Sequence, residues 1–231
     1  HRIDQTISLT QLNAIKEVGA QGGASLVVTL LAAFEILLYK MTQQQDLVVG
    51  LPAAGQSVTS LPDVVGHCVN LLPLRSKVEP GLSFLSYLKK RKVEFLTALE
   101  HQQLTFSELL KKLYIPRDAS RVALVPVMLN IDLGMDQKVA FNDLEFELIS
   151  NPRAFENFEL YLNIADAKQG MVLEWSYNTD LFDSTTILQI HQELIHLLDK
   201  ISHSPSCLIS ELTKEEVKNI SCGHGANFTI P

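Results

Sequence analysis

The chain runs to 231 residues, 46% hydrophobic and 19% charged, with a formal net charge of −7. That is one large domain, or one and a half small ones, with material for a sizeable core. A disordered chain is excluded, and an acidic balance with no basic stripe argues against nucleic acid as a partner.

Residues 3–9 alternate and read as a short strand. Ser8 and Gln11 have capping-box spacing for a helix reaching about Val18, where Gly19 and Gly22-Gly23 break the chain. Residues 25–41 form the next helix, apolar nearly all round and therefore central. Its most hydrophobic part, residues 26–39, contains Glu35 and is too short to span a bilayer, so no membrane is expected. Residues 46–51 (DLVVGL) make a run-type strand closed by Pro52, followed by a loop of small and polar residues. Residues 64–75 then read VVGHCVNLLPLR, in which the apolar run 69–74, flanked by a Gly hinge and a Pro, is a buried strand with one amide, Asn70, inside it.

Residues 83–100 are an amphipathic helix with Phe84, Leu85, Leu88, Phe95, Leu96 and Leu99 as its stripe. The basic run Lys89-Lys90-Arg91-Lys92 within it reads as a solvated face. A short helix over 106–113 is followed by four strand candidates at 124–131, 144–149, 158–164 and 171–177. Asp183 caps a helix with Ile187, Ile190, Leu194, Leu197 and Ile201 on one face. After residue 203 the composition shifts to that of a linker, with one short helix near 213–219. Helices in the first half and strands in the second predict an α/β sandwich with a mixed, mainly antiparallel sheet and flanking helices.

Cys68, Cys207 and Cys222 form no CxxC pair, and no apolar leader follows His1, so a cytoplasmic protein is expected. Metal chemistry has little support: His191 and His196 are five apart rather than four, and HExxH is absent. Glu156 and Glu159 sit in a loop and strand where paired-carboxylate catalysis is not expected, and Cys222-Gly223-His224-Gly225 reads as flexible tail.

The stretch VVGHCVNLLPLR resembles the "IGxFVNTLPLR" signature of condensation domains, the peptide-bond-forming units of nonribosomal peptide synthetases. Further segments resemble the same family in the same order: LVVTLLAAFEILLY at 26–39, HQQLTFSELL at 101–110, RDASRVALVPVM at 117–128 and YNTDLFD at 177–183. The resemblance implies a chloramphenicol acetyltransferase-like fold of two lobes, of which residues 1–203 are similar to the C-terminal lobe. Residues 204–231 are similar to the linker toward an adenylation domain. The family's catalytic HHxxxDG motif belongs to the N-terminal lobe, and none of the seven histidines here forms a His-His pair. No catalytic residue is therefore expected in this chain; it would supply a tunnel wall, a floor loop and a latch strand. The implied reaction joins a carrier-bound acyl or peptidyl thioester to a carrier-bound aminoacyl acceptor. No cofactor would bind directly, the 4'-phosphopantetheine arms belonging to upstream and downstream peptidyl carrier domains.

Three residues are singled out within that frame. Gln56 stands where family members carry an Arg thought to pair with the motif's Asp, so it can only hydrogen-bond. Asn70 and Asn130 are either tunnel-facing amides or structural ones satisfied by backbone. For Asn130 the sharper expectation is that it donates to a developing oxyanion or holds the attacking amine. The alternative function is a catalytically silent, condensation-like module that recruits a partner or scaffolds neighbouring synthetase domains.

Overall fold

The computed structural model describes residues 1–55, 65–115, 121–133, 150–167 and 170–214. Gln56, most of the loop after residue 53, the strand expected over 144–149 and all of the tail after residue 214 lie outside them.

Twelve elements follow in chain order. They are β1 (Arg2–Ser8), α1 (Leu9–Gly22), α2 (Leu26–Thr42), β2 (Asp46–Ala54), β3 (Val69–Lys77), α3 (Phe84–Glu100), α4 (Phe106–Lys112), β4 (Val127–Asp132), β5 (Leu160–Ala167), β6 (Gly170–Tyr177), α5 (Ser184–His203) and α6 (Ile209–Leu212). The strands make one sheet in the order β1-β6-β5-β4-β2-β3. β1–β6, β5–β6 and β2–β3 are antiparallel, whereas β4 runs parallel to both β5 and β2. The sheet is thus mixed and mainly antiparallel, as the sequence predicts.

The main core lies between α1, α2, α3 and α5 and one face of this sheet. Helix α2 is its axis, with every residue from Val28 to Tyr39 buried. Leu31, Phe34 and Leu38 meet Leu129, Leu162, Leu173 and Trp175 from the strands. All five residues of the expected α5 stripe are buried, and Asp183 caps that helix by accepting from Thr186 N at 2.7 Å. The Ser8–Gln11 capping box starts α1. That helix runs past Gly19, which is a packing glycine: a Cβ there would lie 2.7 Å from Thr29 Oγ1. The helix stops instead at Gly23, in the left-handed region at φ 63°.

Three sequence expectations are corrected. Strand β2 passes through Pro52 to Ala54, because β4 touches β2 only at Gly50↔Met128 and leaves the proline with a single neighbour, β3. Arg91 belongs to the buried stripe of α3 and not to a solvated face, while Leu96 points outward. Finally, the change of composition at residue 204 does not end the packing. The chain docks back through Leu85 N to Pro205 O and Ile209 N to Leu82 O, and Ile209 and Leu212 of α6 enter the core. No single helix among the described residues is long and apolar enough to cross a membrane.

The other sheet face is not covered by these helices. At its β2–β4 end Val48, Val125 and Met128 form a smaller cluster, joined by Leu71, Phe106, Phe158 and Tyr161. Gly50 lies beneath it because nothing larger fits: a Cβ would come within 2.3 Å of both Met128 Sδ and Val125 Cγ1.

Candidate functional site

The open face changes from apolar to polar between β4 and β1. Strand register sets Asn130 beside Asn163, Asn163 beside Glu174 and Glu174 beside Asp4. Side chains two apart share a face, so Asn130 lies on the side of Met128 and opposite the core residues Leu129 and Ile131. The aligned groups are bonded in sequence. Asn130 Nδ2 donates to Asp132 Oδ2 at 3.0 Å and to Asn163 Oδ1 at 2.8 Å. Asn163 Nδ2 donates to Glu174 Oε2 at 2.8 Å. Glu174 also accepts from Ser150 Oγ at 3.2 Å and faces Arg2 Nη2 at 3.3 Å. Arg2 in turn forks onto Asp4 at 2.6 and 2.7 Å.

Tyr161 borders the row on the same face. Burial pushes its hydroxyl above the usual phenol range, with Arg153 and the Asn130 side-chain amide opposing and Asp132 and Glu156 adding to the rise. The guanidinium of Arg153 stands 5.7 Å from the ring centre, within cation–π reach. One oxygen of Glu156, Oε2, is buried with no hydrogen-bond partner among the described residues. Below Tyr161, Arg121 grips Glu159 with a fork of 2.6 and 3.1 Å. Glu159 is further fixed by its own backbone to Pro126 and Asn178, so this pair pins the segment before β4 to the start of β5.

Asn70 is placed elsewhere. It shares the strand parity of Leu72 and Leu74, which face the main core, so the two asparagines do not come together. Its Nδ2 donates to Gln102 O and Leu104 O, both at 2.9 Å, and its Oδ1 accepts from Leu71 N and Phe106 N. Every donor of the amide is spent on backbone, and the residue clamps β3 to the connection between α3 and α4. Gln56 lies outside the described residues.

Two further polar groups lie away from this row. Glu35, inside the apolar helix α2, takes Arg91 Nε and Nη2 at 2.8 Å each and the Tyr87 hydroxyl at 2.7 Å. Glu94 completes the set around Arg91. Burial holds the Glu35 carboxyl above its ordinary range against the pull of Arg91 and Tyr87. Burial alone would lower the Arg91 guanidinium, but Glu35, Tyr87 and Glu94 together outweigh it and the net direction is upward. This is a core ion pair remote from the open face. A shallow groove of about 510 Å³ lies between β1, α1 and α5, lined by Gln5, Gln11, His191, Gln192, His196 and Asp199. Its floor is His191, whose Nδ1 accepts from Trp175 Nε1 at 3.3 Å. Among the described residues no group of three or more His, Cys, Asp or Glu is arranged to hold a metal ion.

Among the described residues the polar row gathers several polar side chains on the sheet face that the four helices leave free. Asn130 was legible as a candidate, whereas Asn163, Glu174 and Arg2 were not: their assembly depends on the β1-β6-β5-β4 order, which alternation along single strands does not reveal.

The condensation-domain family model matches residues 1–219. Tyrocidine synthase 3 of Brevibacillus parabrevis is 32% identical over 212 residues, covering 90% of this chain and 3% of the synthase. Bacitracin synthase 3 of Bacillus licheniformis is 31% identical over 198 residues, covering 86% of this chain and 3% of that protein. The chain thus spans a small fraction of these relatives. Among solved structures, a four-domain nonribosomal peptide synthetase bound to AMP and glycine superposes with a TM-score of 0.84 at 21% identity, covering 94% of this chain and 18% of that one. The condensation domain of the Monacolin K polyketide synthase MokA gives 0.80 at 19% identity, covering 90% of this chain and 48% of that one. The X-domain from teicoplanin biosynthesis gives 0.80 at 19%, covering 91% and 48%.

Proposed function

The chain belongs to the condensation-domain family, and from that premise we propose that it is the C-terminal lobe of a domain forming an amide bond in a nonribosomal peptide synthetase. Two carrier-bound substrates meet in that reaction: an amine on one pantetheine arm attacks the acyl thioester on the other. A family match over residues 1–219, on a chain that covers 48% of a solved condensation domain, supports the half-domain reading. So does the match to the family's C-lobe motifs in a sequence without a His-His pair.

The lobe's contribution is to bind and orient. Bringing two tethered reactants into one geometry replaces a bimolecular encounter, an advantage worth roughly 7–11 kcal/mol when alignment is complete. The open face is the wall we assign to the substrates, with Asn130 toward the reacting groups. Asn70 supports that wall indirectly, through the connection it clamps, and Gln56 is assigned a neutral hydrogen bond in place of an ion pair. The partners are the N-terminal lobe, the flanking peptidyl carrier domains and a following adenylation domain. Free thiols at Cys68 and Cys207 are consistent with a cytoplasmic setting.

The test uses the full-length protein containing this chain, with acyl and aminoacyl groups loaded on its carriers, and reads amide product by mass spectrometry. Product is expected from the whole protein and none above background from residues 1–231 alone. Amide formation by the chain alone would place a general base in this lobe. A whole protein that retains a partner but makes no amide would instead identify an interaction module.

A further inference from the structure

We infer that Asn163 and Glu174 are positioning residues that set Asn130 as a hydrogen-bond acceptor toward the open face, there to take an N–H of the substrate. The inference rests on the family reading above and removes one of the two roles that sequence suggests for Asn130, donation to an oxyanion.

The two ends of an amide are told apart by their partners. Asp132 Oδ2 lies 3.0 Å from the Asn130 nitrogen. A carboxylate only accepts, so the NH2 group must face it. At the far end Glu174 Oε2 lies 2.8 Å from Asn163 Nδ2, which turns the Asn163 NH2 toward β6 and its Oδ1 toward Asn130. Two carboxylates on different strands therefore impose one direction on the whole chain of bonds. Arg2 and Ser150 hold Glu174 in place.

Both N–H groups of Asn130 are consumed by this chain. No hydrogen bond from the described residues is made to its Oδ1, the one atom it has left to offer. Donation to an oxyanion would break a bond to Asp132 or Asn163. Acceptance from an N–H breaks nothing. Two groups of the substrates have that chemistry: the attacking amine, and the amide N–H of a pantetheine arm.

The experiment measures binding by calorimetry on the full-length protein, with alanyl and propionyl amides of amino-pantetheine as probes. These differ only in the amine. Asn130→Leu should weaken the alanyl probe several-fold to about ten-fold, the worth of one neutral hydrogen bond. If the propionyl probe is unaffected, the amine is the donor; if both weaken equally, the arm is. Asn163→Leu should reproduce the loss, and Asn130→Leu with Asn163→Leu should be no worse than either alone, because coupled residues are not additive. Asn163→Asp sets two carboxylates face to face and should be as weak, while Asn163→Asp with Glu174→Gln restores a donor at position 174 and should recover binding. Melting temperatures establish the folded fraction of each variant. Unchanged binding in Asn130→Leu, additive losses, failed rescue at equal folded fraction, or no binding of either probe by the wild type would each overturn the inference. Amide synthesis, assayed separately, judges the family reading: a protein that makes no amide yet shows this pattern loses the reaction and keeps the acceptor.

Discussion

Arg91 and Glu35 show what one buried pair does to an otherwise apolar core. With side chains 1% and 0% exposed, neither is solvated, and each is tolerable only because the other is present. Removing one charge should therefore cost far more than removing both. Glu35→Ala is expected to lose about 3–5 kcal/mol of unfolding free energy. Glu35→Leu with Arg91→Met should lose much less in the same denaturant titration. Equal losses would mean that the pair contributes shape rather than charge compensation. The partnership was half legible: Glu35 stood out in an apolar helix, but Arg91 was hidden in a run of four basic residues. Its spacing of seven from Phe84 and three from Leu88 puts it on the buried stripe, a signal lost when every Arg is scored as solvent-facing.

His191 carries a second prediction at this scale. The Trp175 indole N–H donates to Nδ1, so that nitrogen must be unprotonated, and burial lowers the imidazole below its ordinary 6.5. In the unfolded chain the ring titrates near that ordinary value. As pH falls below it, the unfolded state takes up a proton that the folded state refuses, and stability drops. The contribution is complete above about 6.5 and is lost as pH falls toward the lowered folded value. His191→Gln, which can still accept from Trp175, should show a shallower loss of melting temperature between about pH 7 and pH 5. Identical slopes would show that the ring is not held neutral.

At the level of elements, hydrophobic period located most helices and strands, while their ends were set by contacts. α1 outlasts its glycine because Gly19 is needed against Thr29, and β2 outlasts its proline because, among the described residues, β3 alone pairs with the strand there. Neither reason is local. Much of what resembled the family proves to be local architecture. Thr105–Glu108 is a capping box. The segment 177–183 is a turn closed by Leu181 N and Phe182 N on Asn178 O, leading to the Asp183 cap. Arg121 is one half of a clamp. Such devices hold the sheet in register, and register builds the polar row. Gly50 is the most exacting element-level position, since its missing side chain seats Met128 two residues before Asn130. Gly50→Ala should destabilise the protein by about 1–3 kcal/mol through overpacking, measured by urea unfolding. A neutral result would show that Met128 and Val125 can both move aside.

Over the whole molecule the two sheet faces are unequal. One is sealed by four helices; the other carries a small apolar cluster and a polar row. Val65, Tyr114 and Phe155 are almost wholly exposed, with Val69, Leu113 and Leu133 partly so. Scattered exposed apolar residues are ordinary. The buried Glu156 oxygen beside Phe155 is less so: no described residue donates to it, and such an atom costs free energy until something does. The proposed half-domain reading requires that another lobe complete this surface, and interfaces between units of one chain bury roughly 600–1,500 Å². Hydrogen exchange can decide whether this face is covered. In the full-length protein, amides of residues 124–132 and 150–165 should exchange more slowly than in residues 1–231 alone, whereas those of α2 and α5 should be equally slow in both. Slowing confined to α5 and the groove beside it would put the second lobe on the helix side and remove the open sheet face, Asn130 included, from the substrate path.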